Sequence, residues 1–390
     1  MLNVSKKFKD SVYAPVRQIN ARIFFTLYGV TKEYSDETII SFNLLEEMST
    51  INETLPTNEL RVTLDNTGAE FDILTLAKMN EIIASRPEIR LELGLVMEEI
   101  SDPIFIGFPI EQHSFIEWVP MGIYYLSEWK NETAAMSISL IGQDCFNMLA
   151  QISYNNTAAS NLYNLAVDVL QKAGITKFSV DDSLKRISSP GFKGRLNSRE
   201  ALQHIGIAGK AAVYQDRTGT VIIKPFTALD ASSNYLNYCG QSYYFGGAYP
   251  LVTNGFGMKN IEYDQMFEEP EISLDKSIYE VVVKVYESTG EREVVVVNTS
   301  IKGTNGDSFA IANPLITTES HARDVANWII TESNYNAIYK TIWRQNPILE
   351  CADVILVEDS FEAKKQTRIF RQEFSYEGYL NGVTESRGGI

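Results

Sequence analysis

The residues able to do chemistry are few and scattered. His113, His204 and His321 are the only histidines in 390 residues, and they lack the His-x-x-x-His or Glu-x-x-His spacing that places metal ligands on one helix face. Cys145, Cys239 and Cys351 are odd in number and far apart. They provide neither a disulfide framework nor a ligand set and read as small apolar residues. A serine nucleophile needs a base and an orienting group beside it, yet no Gly-x-Ser-x-Gly turn occurs, and Gly142-Gln143-Asp144-Cys145 matches no nucleophile motif. Gly206-Ile207-Ala208-Gly209-Lys210 is too short for a phosphate loop and ends a helix instead of opening one. Carboxylates are abundant, so a paired-acid glycosidase is not excluded by counting. Glu46 with Glu47, Glu98 with Glu99 and Glu268 with Glu269 are adjacent pairs that read as solvated loop or strand-edge charge. Tyr243, Tyr244 and Phe245 would suit a sugar face, a β-module core or a subunit contact.

Three stretches must position these residues. In the first, 1–150, residues 18–28, 39–45 and 60–64 read as strands, a helix is expected over 75–85, and strands follow at 89–93, 122–129 and 135–142. In the second, 151–253, Leu162, Leu165, Ala166, Val169, Leu170 and Ala173 fall on one helical face, with Gly174 as a stop. Asn197 and Glu200 form a capping box for a second helix ending near Gly209. Residues 211–214 and 221–224 then flank Asp216-Arg217-Thr218-Gly219 as a hairpin. In the third, 254–390, Val-rich strands at 279–286 and 293–298 form a second hairpin. Thr317 is the expected cap of a helix carrying Ala322, Val325, Ala326, Ile329 and Ile330, and strands follow at 339–343, 353–357 and 368–376. The first and third stretches share an order of elements, which fits a structural repeat around an α+β insert and equally fits two unrelated β modules.

Composition narrows the classes. The chain is 44% hydrophobic, 22% charged and 11% aromatic, as in an ordinary folded protein. Its 34 Lys and Arg against 50 Asp and Glu give a net charge of −16, which disfavours a nucleic-acid-binding surface. No signal peptide is expected from the N-terminus, and no apolar run reaches the ~20 residues that span a bilayer.

Several stretches resemble the hub proteins of tailed-phage baseplates and tail tips, a family shared with phage-tail-like bacteriocins. Residues 311–316 (Ile-Ala-Asn-Pro-Leu-Ile) precede a helix with Trp328. Residues 343–355 run from Trp343-Arg344-Gln345-Asn346-Pro347 to Ala352-Asp353-Val354-Ile355, and residues 376–382 close the match. Gln345 and Ala352 stand where the family carries glycine. In the front half Leu64-Asp65-Asn66 and residues 118–126 (Trp-Val-Pro-Met-Gly-Ile-Tyr-Tyr-Leu) agree with it, and Asn197 to Ile205 resembles its inserted domain.

The resemblance implies a β-rich α+β fold of two tube-like β-barrel modules, each with one helix, with an α+β insert between them. It implies a homotrimeric ring that adapts a sixfold tail tube or distal-tail ring to a threefold spike, needle or fibre. Such a ring also meets the tape measure protein and lines the DNA-ejection channel, where acidic charge would keep the DNA backbone from sticking. The implied location is the virion, after assembly in the host cytoplasm. No catalytic, cofactor-binding or metal residue is assigned, and neither a membrane nor specific nucleic-acid binding is expected. A tail-associated wall hydrolase and a carbohydrate-binding adhesion module are the alternative readings.

Overall fold

The computed structural model describes residues 2–27, 29–68, 82, 85–100, 112–132, 136–225, 229, 259–275, 277–287, 290–301, 306–359 and 364–389. The expected helix at 75–85 falls almost wholly outside these residues, as do Cys239 and the aromatic run at 243–245.

Alternating apolar residues set the strands of the first stretch. After helix α1 (Lys6–Ser11), capped by Ser5, come β1 (Gln18–Leu27), β2 (Val30–Ser35), β3 (Ile39–Glu47), β4 (Glu59–Asp65), β5 (Glu88–Ile100), β6 (Gln112–Glu132) and β7 (Ser137–Gln143). In β1, Ile19, Ala21, Ile23 and Phe25 are buried while their neighbours face outward, the period-2 signature of a half-buried strand. β6 is far longer than the stretch expected at 122–129 because it continues through Pro120, opposite Glu92 at a register shift.

The middle stretch holds α2 (Cys145–Gln151), α3 (Leu162–Lys172) and α4 (Ser198–Gly209). Between and after them lie the short strands β8 (Ser153–Tyr154), β9 (Ser160–Asn161), β10 (Phe178–Val180), β11 (Ser188–Ser189), β12 (Leu196–Asn197), β13 (Ala211–Gln215) and β14 (Val221–Pro225). The capping box of α4 is present in both directions between Asn197 and Glu200. Gly219 sits at φ +81° in the β13–β14 turn, the left-handed position expected of it.

The last stretch contributes β15 (Lys259–Ile261), β16 (Glu271–Leu274), β17 (Ile278–Glu287), β18 (Gly290–Val297), β19 (Asp307–Ala312), α5 (Glu319–Ser333), β20 (Ala337–Trp343), β21 (Val354–Glu358), β22 (Lys364–Tyr376) and β23 (Leu380–Gly388). Thr318, one residue beyond the expected Thr317, caps α5 by accepting from His321 N.

Both ends of the chain join one sheet of thirteen strands. Its order is β16-β20-β23-β22-β3-β4-β7-β6-β5-β1-β2, with β21 on β22 and β15 on β21. Among the described strands neither of the two expected tube-like modules is a closed barrel, and β22 pairs antiparallel with β3 to join the halves in one sheet. The two halves nevertheless follow the same path, β3-β4-β7-β6-β5-β1 in one and β16-β20-β23-β22-β21-β15 in the other, except that β15 runs parallel to β21 where β1 runs antiparallel to β5. Paired residues show the correspondence: the row Leu44, Leu60, Gly142, Leu126 matches the row Ile272, Tyr339, Ser386, Ile369. Both rows stop at a register shift, between Leu126 and Glu128 and between Ile369 and Arg371. Even the flanking bonds agree, Leu126 N to Pro87 O and Ile369 N to Asp353 O, both 2.9 Å.

Three apolar cores result. One lies inside the curled N-terminal strands and takes in Phe374 and Tyr376 of β22, with Tyr376 stacked on Phe42 at 5.2 Å between ring centroids. A smaller one holds Trp343, Tyr339, Ile355 and Ile369. The third unites α2, α3, α4 and the β13–β14 hairpin with β17 and α5.

Candidate assembly surface

Where the chain concentrates buried charge, the three stretches meet. Glu46, read from the sequence as solvated charge, is buried in β3, and Arg217, in the turn after β13, reaches it across the fold. Arg217 Nε and Nη2 donate to the two carboxylate oxygens at 2.6 and 2.7 Å. Of the three remaining guanidinium protons, two go to the carbonyls of Pro347 and of Leu349, the latter at 2.6 Å, and one to Met121 Sδ at 3.5 Å. Gln372 on β22 donates to Leu349 O at 3.1 Å, and the Phe374 ring lies 5.1 Å from the guanidinium. Burial pulls both groups toward their neutral forms, but the carboxylate holds the guanidinium charged, above its ordinary value. Arg217 was visible in the sequence only as a turn residue; nothing local marked it as the tie between three distant segments.

A second buried pair, Arg368 on β22 with Glu332 on α5 at 2.7 Å, fastens the helix to the large sheet. Asp144 caps α2, accepting from Phe146 N at 2.9 Å and Asn58 N at 3.0 Å, and burial pushes its carboxyl up to about 7. These groups are perturbed because they are walled in by structure, and perturbation alone does not make a reactive centre.

The sequence-level candidates do not converge. His204 and His321 serve the packing of α4 and α5: Asn313 Nδ2 donates to His204 O at 2.8 Å, and His321 Nε2 lies 2.8 Å from Ala208 O. His113 lies in β6. Cys145 is buried in α2 and Cys351 rests 3.5 Å from Glu46 O; burial raises both thiols, the opposite of nucleophile activation. Among the described residues no three His, Cys, Asp or Glu side chains are grouped to hold a metal ion. A groove of about 520 Å³ between the β13–β14 hairpin and the 350–354 turn is lined by Tyr214, Asp216, Thr218, Lys224, Glu350 and Cys351; Thr218 Oγ1 donates to Asp216 Oδ1 at 2.7 Å within the hairpin turn.

Gln345 and Ala352, standing where the resembled family has glycine, adopt the glycine-like backbone at φ +58° and +75°. Gln345 holds its turn through its amide, which donates to Glu373 O and Val383 O at 2.9 Å each.

What the surface offers is strand edges. β16 ends the large sheet, all four of its residues are exposed, and Ile272 and Leu274 show 52% and 64% of their surface. Phe267 and Tyr379, also exposed, line a neighbouring groove with Arg17 and Arg344. An exposed apolar edge is a template for pairing unless another chain covers it.

No family model matches the chain, and no curated protein sequence matches it. Solved structures do. The tail protein from Neisseria meningitidis MC58 aligns over 94% of this chain and 96% of its own, with a TM-score of 0.57 at 9% identity. The prophage MuSo2 43 kDa tail protein from Shewanella oneidensis aligns over 94% and 98%, with 0.54 at 11% identity. The chain has the fold of prophage tail proteins. Prophage tail protein gp18 from Listeria monocytogenes shares it over 93% and 94%, with 0.50 at 9% identity. The tail-protein fold therefore spans both halves and the middle segment together. No helix among the described residues is long and apolar enough to cross a membrane.

Proposed function

We propose that the protein is a non-enzymatic structural hub of a phage tail tip or baseplate. The observation that carries this reading is the end-to-end likeness to prophage tail proteins, 94% of this chain on 96% and 98% of two of them. The matching strand paths of the two halves support a ring of three copies, since two near-equivalent units per chain give six positions around a threefold axis. Such a ring would dock a sixfold tail tube or distal-tail ring on one face and a spike, needle or fibre on the other, with the tape measure protein as a further partner. In that ring each curled half would complete a tube-like barrel against its neighbours. Units 1–150 and 254–390 would be the tube-like modules and 151–253 the insert. The net charge of −16 suits a virion channel through which DNA slides without sticking.

Two measurements on the purified full chain test this. Light scattering across concentrations is expected to show a shift toward three copies. Incubation with purified peptidoglycan is expected to release nothing above a buffer control; release would overturn the non-enzymatic part and favour a wall hydrolase.

A further inference from the structure

The internal repeat makes one strand contact inside the chain whose counterpart is left open at both ends. Within the chain β22, once past its register shift, runs along β3 from Arg371 opposite Glu47 to Tyr376 opposite Phe42. By the matched rows, β6 past its own shift corresponds to this part of β22, and β16 corresponds to β3. Yet β6 and β16 are not paired with each other. β5 leaves β6 at Tyr125, so among the described residues only β7 accompanies the stretch from Glu128 to Glu132. Among the described residues β16 is accompanied only by β20.

We infer that the open edge of β16 receives the C-terminal part of β6 from a second copy of this chain, antiparallel and in the register of the β22–β3 joint. The step from contact to ring rests on the hub reading above. The correspondence sets the pairs: Glu128 opposite Asp275, Trp129 opposite Leu274, Lys130 opposite Ser273, and Asn131 opposite Ile272. Ile272 takes the place of Leu44, which is fully buried in the internal joint, so its 52% exposure is what an unfilled copy of that joint predicts. Leu274, at 64%, would lie opposite Trp129, whose ring packs edge-on against Phe25 at 6.0 Å between centroids. The contact is head to tail, which closes into a ring of three when the repeated rotation is a third of a turn without translation. The other end of the sheet, β2, carries Lys32 and Glu33 beside an exposed Val30.

Charge makes the contact salt-dependent. Glu128 faces Asp275, and like charges directly opposite weaken a strand pair; Arg387, 2.6 Å from Asp275, offsets part of this. Association is expected to strengthen as salt screens the remaining repulsion.

Cysteine cross-linking tests the register. Met48 N donates to Phe370 O at 2.9 Å, so alternation makes the pair Glu373–Leu45, and by correspondence Lys130–Ser273, a non-hydrogen-bonded one. Its Cα atoms are about 4.5 Å apart, close enough for a disulfide. The double variant Lys130→Cys/Ser273→Cys, oxidised mildly at high salt, is expected to give reductant-sensitive species up to three chains. An equal mixture of the two single variants should stop at two chains. Wild type sets the background of the native cysteines, and a thermal melt confirms that the variants fold. Stronger linkage for Lys130→Cys with Glu271→Cys or Asp275→Cys overturns the register. A trimer by light scattering without linkage overturns this contact and leaves the hub reading standing. A monomer at every concentration, also without linkage, overturns both.

Discussion

Removing Arg217 asks whether one side chain ties the three segments together. Arg217→Met keeps most of the aliphatic stem but leaves the buried Glu46 carboxylate with the Gln372 amide, at 3.4 Å, as its remaining side-chain donor. It also removes the donors to Pro347 O and Leu349 O. Breaking a buried pair from one side costs about 3–5 kcal/mol. An upper bound on the charge part comes from protonation: neutralising a carboxyl of ordinary pKa about 4.3 at pH 7 costs about 4 kcal/mol. Leu349 O keeps the Gln372 amide as a donor, so the lost hydrogen bond falls on Pro347 O and adds about 1 kcal/mol. A loss of about 4–5 kcal/mol at pH 7 follows, a large share of the 5–15 kcal/mol that stabilises a typical domain.

The loss should depend on pH in a fixed direction. In the variant the folded-state pKa of Glu46 rises above its unfolded value. The variant is therefore least impaired below about pH 4 and loses stability as pH climbs toward the folded pKa. Urea unfolding followed by tryptophan fluorescence and far-UV circular dichroism, at pH 5 and pH 7, measures both the size and the slope. The double variant Glu46→Met/Arg217→Met removes the stranded charge and should regain part of the loss. A single variant within 1 kcal/mol of wild type, or one equally impaired at both pH values, would refute the argument, as would a double variant worse than Arg217→Met.

Three further outcomes are expected. Ala352→Gly should raise stability by about 1 kcal/mol in thermal melts, because Ala352 holds φ +75°; Gln345→Gly should lower it, because the hydrogen bonds from its amide are lost. Gly382→Ala should cost about 3 kcal/mol or fail to express as folded protein, since a Cβ there runs into the Glu373 carbonyl of the paired strand, whereas Gly378→Ala, with open space around it, should not meet that clash. Burial lowers the pKa of His204, so stability should fall as pH drops through the ordinary histidine value of about 6.5; comparing urea midpoints at pH 7.5 and 5.5 for wild type and His204→Leu isolates that component.

Local pattern determined a great deal of this protein. Period-2 burial marked β1, β3 and β4, the i, i+3, i+4 stripe marked α3, and Asn197 with Glu200 fixed the start of α4, because each signal lies within one turn or one strand. The order of elements also hinted at the repeat. Residues 311–316, 343–355 and 376–382 pointed to a tail hub, and the solved structures share a tail-protein fold.

Tertiary structure decided the rest. Whether the two halves stay apart or fuse depends on β22 meeting β3, more than 300 residues away in sequence, and no local pattern carries that pairing. Glu46 looked like surface charge because its partner, Arg217, sits in a hairpin of another segment. The short, exposed β16 was invisible for a related reason. Four residues with little local preference become a strand only where β20 offers them a backbone to bond, and their open edge acquires meaning only beside the filled joint it copies.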